Sequence, residues 1–262
     1  MRREVLYLSV LLVLLGLGAC KTTKDLVYLR DVEGDEVQVS ETMVVPEYKI
    51  KTNDNLYVTI QSLDPEVNQL FMPSQGMNST GGTQQMFGTQ SAQYLNGYLV
   101  NNAGNITLPI LGDIGVAGLT SGEAQGAIQK KANEYLKNAT VKVKLLSYKV
   151  TVMGEVKNPG VYYNYNNSLT VLEAVSMANG ITDYARINKV LVLRNTAKGS
   201  KTYRLDLSSK KLLSSKAFFL QPNDVVYVEP DKYKNVKLNS PLYALMLSSI
   251  TTLIVLLKYI AG

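Results

Sequence analysis

The side chains that carry most enzymatic chemistry are scarce in this sequence. Its 262 residues contain no histidine, no tryptophan and one cysteine, Cys20. Imidazole-and-thiolate zinc sites, Ser-His-Asp and Cys-His nucleophiles and imidazole proton transfer are therefore outside its repertoire. Carboxylate chemistry remains, since cleaving a glycosidic bond needs two carboxyl groups about 5 to 10 Å apart in a cleft. The candidates Asp113, Glu123, Glu155, Glu173 and Asp183 fall where turns and helix caps already account for an acid. Gly112-Asp113-Ile114-Gly115-Val116-Ala117-Gly118 is glycine-rich but lacks the lysine and the spacing of a phosphate loop. Asp54 and Asp224 sit in echoing strings, IKTNDNLYV at 50–58 and LQPNDVVYV at 220–228. They could serve as ligands or acids, but Asn-Asp ahead of a strand is ordinary turn chemistry. The residues thus nominate no catalytic group, no metal ligands and no cofactor site, and the chain reads as a non-enzyme.

Cys20 has a different chemistry open to it. Residues 1–19 have the layout of a signal peptide, with Arg2 and Arg3, an apolar run from Val5 to Leu17, and small residues before the cut. LGAC at 17–20 is similar to a bacterial lipobox, which predicts a mature chain starting at an acylated Cys20. A lone cysteine forms no intrachain disulfide, and several acyl chains anchor stably where one is marginal. Lys21, where an Asp would retain the chain at the inner membrane, suits delivery to the outer membrane.

At the other end, Ser240–Leu257 is 18 residues without a charge, about 27 Å as a helix, enough for a thin bilayer. Pro241, Tyr243, Ser248, Thr251, Leu253, Leu257 and Tyr259 are the expected residues of this membrane-spanning helix. Tyr243 and Tyr259 near its ends, with Lys232, Lys234, Lys237 and Lys258 beyond them, suit the two headgroup regions. Ala244, Ser248, Thr251 and Val255 form a small, hydroxyl-bearing stripe of the kind that faces other helices. The alternative is a buried core helix.

Between the ends the net charge of +6 is unevenly spread. Residues 20–66 hold 5 basic and 10 acidic side chains, and residues 198–237 hold 9 basic and 4 acidic. Outer-membrane lipid phosphates or an acidic glycan fit that basic end better than nucleic acid, whose footprint is a stripe. Residues 20–46 read as a lipidated tether or extended arm ending at Pro46. Residues 67–96 carry no charge and are rich in Gly, Ser, Thr, Gln and Asn, which predicts a mobile insert.

The expected α+β fold has a first domain over 47–146 and a second over 147–230, followed by the C-terminal transmembrane helix at 231–262. In the first, Leu56, Val58 and Ile60 alternate as a strand. Gly97 to Ile110 predicts a hairpin turning at Asn101–Gly104. Thr120-Ser121-Gly122-Glu123 is a capping box opening a helix to about Lys137, with Ala124, Ala127, Ile128, Ala132, Tyr135 and Leu136 on its apolar face. Thr140–Leu146 then alternates as a strand. In the second, Val150, Val152 and Val156 line a strand pair broken at Lys157–Gly160. A capping box at Thr170–Glu173 opens a helix ending at Asn179-Gly180, and strands near 190–193, 203–207 and 225–228 follow.

Taken together, YKIKTNDNLYVTI at 48–60, ITLPILGDIGVAGLTSGEAQGAI at 106–128, VTVMGEVKNPGVY at 150–162, LTVLEAVSMANGITDYA at 169–185 and LQPNDVVYV resemble the Wza-like outer-membrane polysaccharide export lipoproteins. The last three strings are similar to one soluble-ligand-binding β-grasp (SLBB) domain, where some relatives have two. Ala139 stands where the family often has Pro. The resemblance implies a homo-oligomeric ring, with eight subunits in the family's pattern, whose C-terminal helices cross the outer membrane. It also implies passive conduction of a polysaccharide received from an inner-membrane copolymerase. A uniformly apolar C-terminal helix departs from the amphipathic pore helix of that picture. The competing expectation is a lipid-anchored periplasmic scaffold that binds a glycan or small ligand without a pore.

Overall fold

The computed structural model describes residues 26–32, 45–63, 97–196, 199–232 and 234–260. The signal peptide, Cys20, most of the tether and the insert at 67–96 lie outside the described residues.

The first module has one small core. Strand β1 (Asn55–Gln61) is the middle of a three-stranded antiparallel sheet, flanked by β2 (Tyr98–Leu99) and β5 (Thr140–Leu145). Leu56, Val58 and Ile60 point into the core, as the alternation requires, and face Leu145, Val143 and Val141 across the β5 ladder. The hairpin expected over 97–110 is not the one that forms. Asn101–Gly104 does turn, with Gly104 N–H donating to the Asn101 carbonyl and the Asn101 side chain accepting from Ala103 and Asn105 N–H. The strands on either side take other partners: β2 pairs with β1, and β3 (Asn105–Leu108) pairs with β4 (Gly112–Gly115). The reason is burial, because the β3–β4 register puts Ile106 opposite Ile114 and both in the core.

Helix α1 (Ser121–Tyr135) begins at the predicted box: Thr120 Oγ1 accepts from Glu123 N–H and Glu123 Oε2 accepts from Thr120 N–H. Ala124, Ile128 and Ala132 bury its inner face. Tyr135, expected on that face, instead points to solvent with the Lys131 ammonium over its ring. Gln129 does what periodicity does not foretell. Its amide donates to the Ala139 carbonyl and accepts from Val141 N–H, so one side chain continues the ladder along the edge strand β5 and covers an otherwise open edge.

The second module has its own core around a five-stranded mixed sheet of order β7-β6-β10-β8-β9. Its strands are β6 (Lys149–Gly154), β7 (Gly160–Tyr163), β8 (Ala185–Thr196), β9 (Gly199–Leu205) and β10 (Val225–Pro230). The first and last of these, β6 and β10, run parallel side by side, and the other pairings are antiparallel. Val150, Val152, Val190, Val192, Val226 and Val228 are fully buried on one face. Val156 lies past β6, in an isolated bridge with Ile181. Helix α2 (Val171–Met177) opens with the second capping box and closes through Asn179 and Gly180, at φ 59° and 81°. Gly154 is confined by its neighbours: at φ 90°, a Cβ there would lie 2.2 Å from the Val228 carbonyl oxygen.

Of the expected tether or extended arm, residues 26–32 are described. These residues precede the first module in sequence but pack on the second: Leu29 and Arg30 N–H donate to the Leu207 and Ser208 carbonyls, and Leu29 joins the second core.

Candidate functional site

Four constructions among the described residues stand out: two buried aspartate turns, an ionic joint, and the helix that the joint carries.

The two echoing strings make the same turn. Asn53 and Asn223 both take left-handed φ, 66° and 67°, where Asn is tolerated better than most residues. Asp54 and Asp224 then fold back on the turn, each accepting from the N–H three residues earlier, Lys51 and Gln221, at 2.8 Å. This is the expected turn chemistry, and both carboxylates are buried. Asp54 accepts from the Tyr48 hydroxyl at 2.9 Å and the Ser147 hydroxyl at 3.1 Å. Asp224 receives the guanidinium of Arg194 side-on, with contacts of 2.7 to 3.1 Å, and Arg194 also donates to the Phe219 carbonyl. Burial, and then the neighbouring Asp54 carboxylate, push the Tyr48 phenol well above its ordinary value. Burial with the Asp224 charge does the same for Tyr148, whose hydroxyl donates to the Leu220 carbonyl at 2.6 Å. Asp54, Asp224, Arg194 and Tyr148 are all buried, as in structural networks.

The other candidate carboxylates are placed as follows. Glu123 and Glu173 cap α1 and α2. Asp113 accepts from the Thr107 hydroxyl, and Asp183 is exposed. Glu155 lies in the bend after β6, where a turn is expected, and is buried in the joint. Its Oε1 receives Lys234 Nζ at 2.6 Å, its Oε2 the Thr182 hydroxyl at 2.7 Å, and Lys234 lies over the Tyr184 ring. Burial raises the Glu155 value, but the bonds from Lys234 and Thr182 and the lysine charge outweigh it and hold the carboxyl below its ordinary range. Among the described residues no three His, Cys, Asp or Glu side chains group as metal ligands.

Lys234 opens α3 (Lys234–Leu238), which passes through Asn239 into α4 (Ser240–Ile260). Tyr243 N–H donates to the Asn239 carbonyl and Asn239 N–H to the Asn235 carbonyl, so the chain stays nearly helical through the join. Pro241, which has no N–H to give the preceding turn, sits where the interruption falls. At 21 residues α4 rises about 31 Å. It is long and apolar enough to cross a membrane by length and composition, and none of the span Ser240–Leu257 is buried in this chain. A core helix would be covered; here Tyr243, Leu253, Leu257 and Tyr259 are all exposed. The hydroxyls along α4 bond to the helix's own backbone. Ser248 donates to the Leu245 carbonyl and Thr251 to that of Ser248, and Ser249 and Thr252 also donate within the helix. The stripe therefore does not by itself require a neighbouring helix. Sequence reading identified the helix and missed its attachment; the one available signal was a lysine standing just ahead of an uncharged run.

Comparison with known proteins adds to this geometry. Residues 42–146 match the family described as polysaccharide biosynthesis/export protein, and residues 148–228 match the SLBB domain. The chain is 30% identical over 187 residues to the EPS I polysaccharide export outer membrane protein EpsA of Ralstonia nicotianae, covering 70% of this chain and 47% of that one. It is 29% identical over 192 residues to the protein of the same name from Ralstonia solanacearum, at 70% and 48% coverage. A shorter match, 34% over 88 residues, joins 32% of this chain to 21% of the exopolysaccharide production protein ExoF of Rhizobium meliloti. The chain spans about half the length of the two EpsA proteins.

Proposed function

We propose that this chain, which belongs to the polysaccharide biosynthesis/export family and carries one SLBB domain, exports a capsular or exopolysaccharide across the bacterial outer membrane. The two EpsA proteins are named as polysaccharide export outer membrane proteins, and the match runs through both modules. In this reading Cys20 is acylated after removal of residues 1–19, the modules at 47–146 and 147–230 lie in the periplasm, and α4 spans the outer membrane. The second module is read as a β-grasp, a reading supported by the parallel central pair β6–β10 with α2 packed on the sheet. Copies of the chain close into a ring, and an inner-membrane copolymerase supplies polymer and energy. The subunits contribute walls that bind weakly at many places, because tight binding would stall a moving polymer.

The observation that carries this reading is α4, whose uncharged 18-residue span Ser240–Leu257 is left wholly uncovered by its own chain and which is continuous with the second module. The test is complementation of a deletion strain with the full chain and with a chain ending at Lys237. The full chain restores surface polysaccharide, and the truncated chain leaves polymer in the periplasm. Unchanged surface polysaccharide from the truncated chain removes α4 from the export path. One observation favours the second reading, a scaffold without a pore: α4 is apolar on all sides and bonds its own hydroxyls, so it can sit in lipid as a single span. Native mass of the detergent-extracted particle separates the two, because only a conduit requires a closed ring.

A further inference from the structure

Resting on that reading of Cys20 as the lipid anchor, we infer that residues 26–32 are a strap seating the second module on the membrane, where Arg30, Lys210 and Lys211 meet lipid phosphates. The strap's contacts are specific. Leu29 and Arg30 N–H donate to the Leu207 and Ser208 carbonyls at 3.0 and 2.8 Å, and Leu29 packs on the second core. Asp31 completes the attachment, accepting from the Ser209 hydroxyl at 2.8 Å and from Lys210 N–H at 2.5 Å at the start of the 3-10 turn Lys210–Ser214.

Chain length then sets the geometry. Leu26 stands six positions after Cys20, and an extended chain covers at most about 3.6 Å per position, so the acyl anchor lies within about 22 Å of the strap. The same module carries α4 from β10, so both proposed membrane attachments leave from it. Arg30, Lys210 and Lys211 are exposed beside the strap. Two acidic neighbours keep their charge, Asp31 held by the Ser209 hydroxyl and Lys210 N–H and Asp206 by the N–H and hydroxyl of Ser208, and the three cations outnumber them. Three cations held on a short leash from an acylated cysteine suit the phosphates of anionic headgroups, each basic residue near such a surface strengthening contact about fivefold.

The test uses the full lipoprotein in phosphatidylethanolamine vesicles with and without phosphatidylglycerol, carrying a benzoylphenylalanine photocrosslinker in place of Ser214 or, as a control on α1, of Lys130. The expected result is a lipid adduct at 214 several-fold above that at 130, raised by phosphatidylglycerol. In Arg30→Gln/Lys210→Gln/Lys211→Gln it falls to the phosphatidylglycerol-free level, and in Asp31→Ala it falls as the strap loosens. Equal adducts at the two positions, or an adduct at 214 indifferent to phosphatidylglycerol and to the three substitutions, overturn the inference. Intact mass of the same preparation reports on Cys20 separately. A mass without acyl groups defeats the anchor and the strap's role with it, and a phosphatidylglycerol-dependent adduct then supports the basic patch alone.

Discussion

At Asp54 and at Asp224 the chain makes one turn twice and closes it with different chemistry. In both, an Asn in the left-handed region lets the following carboxylate reach back to an N–H three residues earlier. In the first module the remaining lone pairs take two neutral hydroxyls, Tyr48 and Ser147; in the second they take a buried arginine. Local sequence thus dictates the turn, while the surroundings decide whether the buried charge is shared among dipoles or paired with an ion. The two closures should differ in how badly they fail, since removing one member of a buried ion pair leaves the other uncompensated.

The sharpest test of that difference is Arg194→Met, which leaves Asp224 charged and buried. It should cost about 3–5 kcal/mol, read as lost amide protection at Val226 by hydrogen exchange, with Val58 little affected. Arg194→Met/Asp224→Asn should recover part of that loss. Asp54→Ala, which strands two hydroxyls and an N–H but no charge, should cost about 2 kcal/mol, read at Val58. Equal losses at the two sites would break the comparison.

A third experiment extends it to the joint. Lys234→Met should cost about 1.5 kcal/mol, read as amide protection at Thr182 and Asp231, whose N–H groups donate to the Glu155 and Tyr184 carbonyls. Glu155 has a lowered value in the folded chain, so its contribution is fully present above its ordinary 4.5 and is lost as pH falls through the lowered value. Protection at the two amides should therefore drop on acidification below about 4.5 in the parent chain and much less in Lys234→Met. Smallest of all, Thr120→Ala and Thr170→Ala should each cost about 1 kcal/mol. Their near equality, measured on α1 and α2 amides, would show that the modules differ in their buried charges and not in their helix starts.

What the sequence determined by itself was local. Both capping boxes, the alternation of Leu56, Val58 and Ile60, the Asn-Asp turns and the uncharged run of α4 are set by residues within a few positions of one another. Backbone geometry and solvent exclusion act over that range, so spacing alone predicts them. The motif strings were legible for the same reason, and the two stretches that carry them, 42–146 and 148–228, match the polysaccharide biosynthesis/export family and the SLBB domain. The tertiary structure decided the rest. Arg194 finds Asp224 across 30 residues, Lys234 finds Glu155 across 79, and Ser209 finds Asp31 across 178. Lysines, arginines and carboxylates are common, and nothing in their spacing says which of many exposed charges will be buried together. The β2–β1 and β3–β4 pairings were settled likewise, because two short strands beside one turn take whichever register buries Ile106 and Ile114. The docking of residues 26–32 on the far module has the same cause: Leu29 gains a core that the arm cannot build for itself.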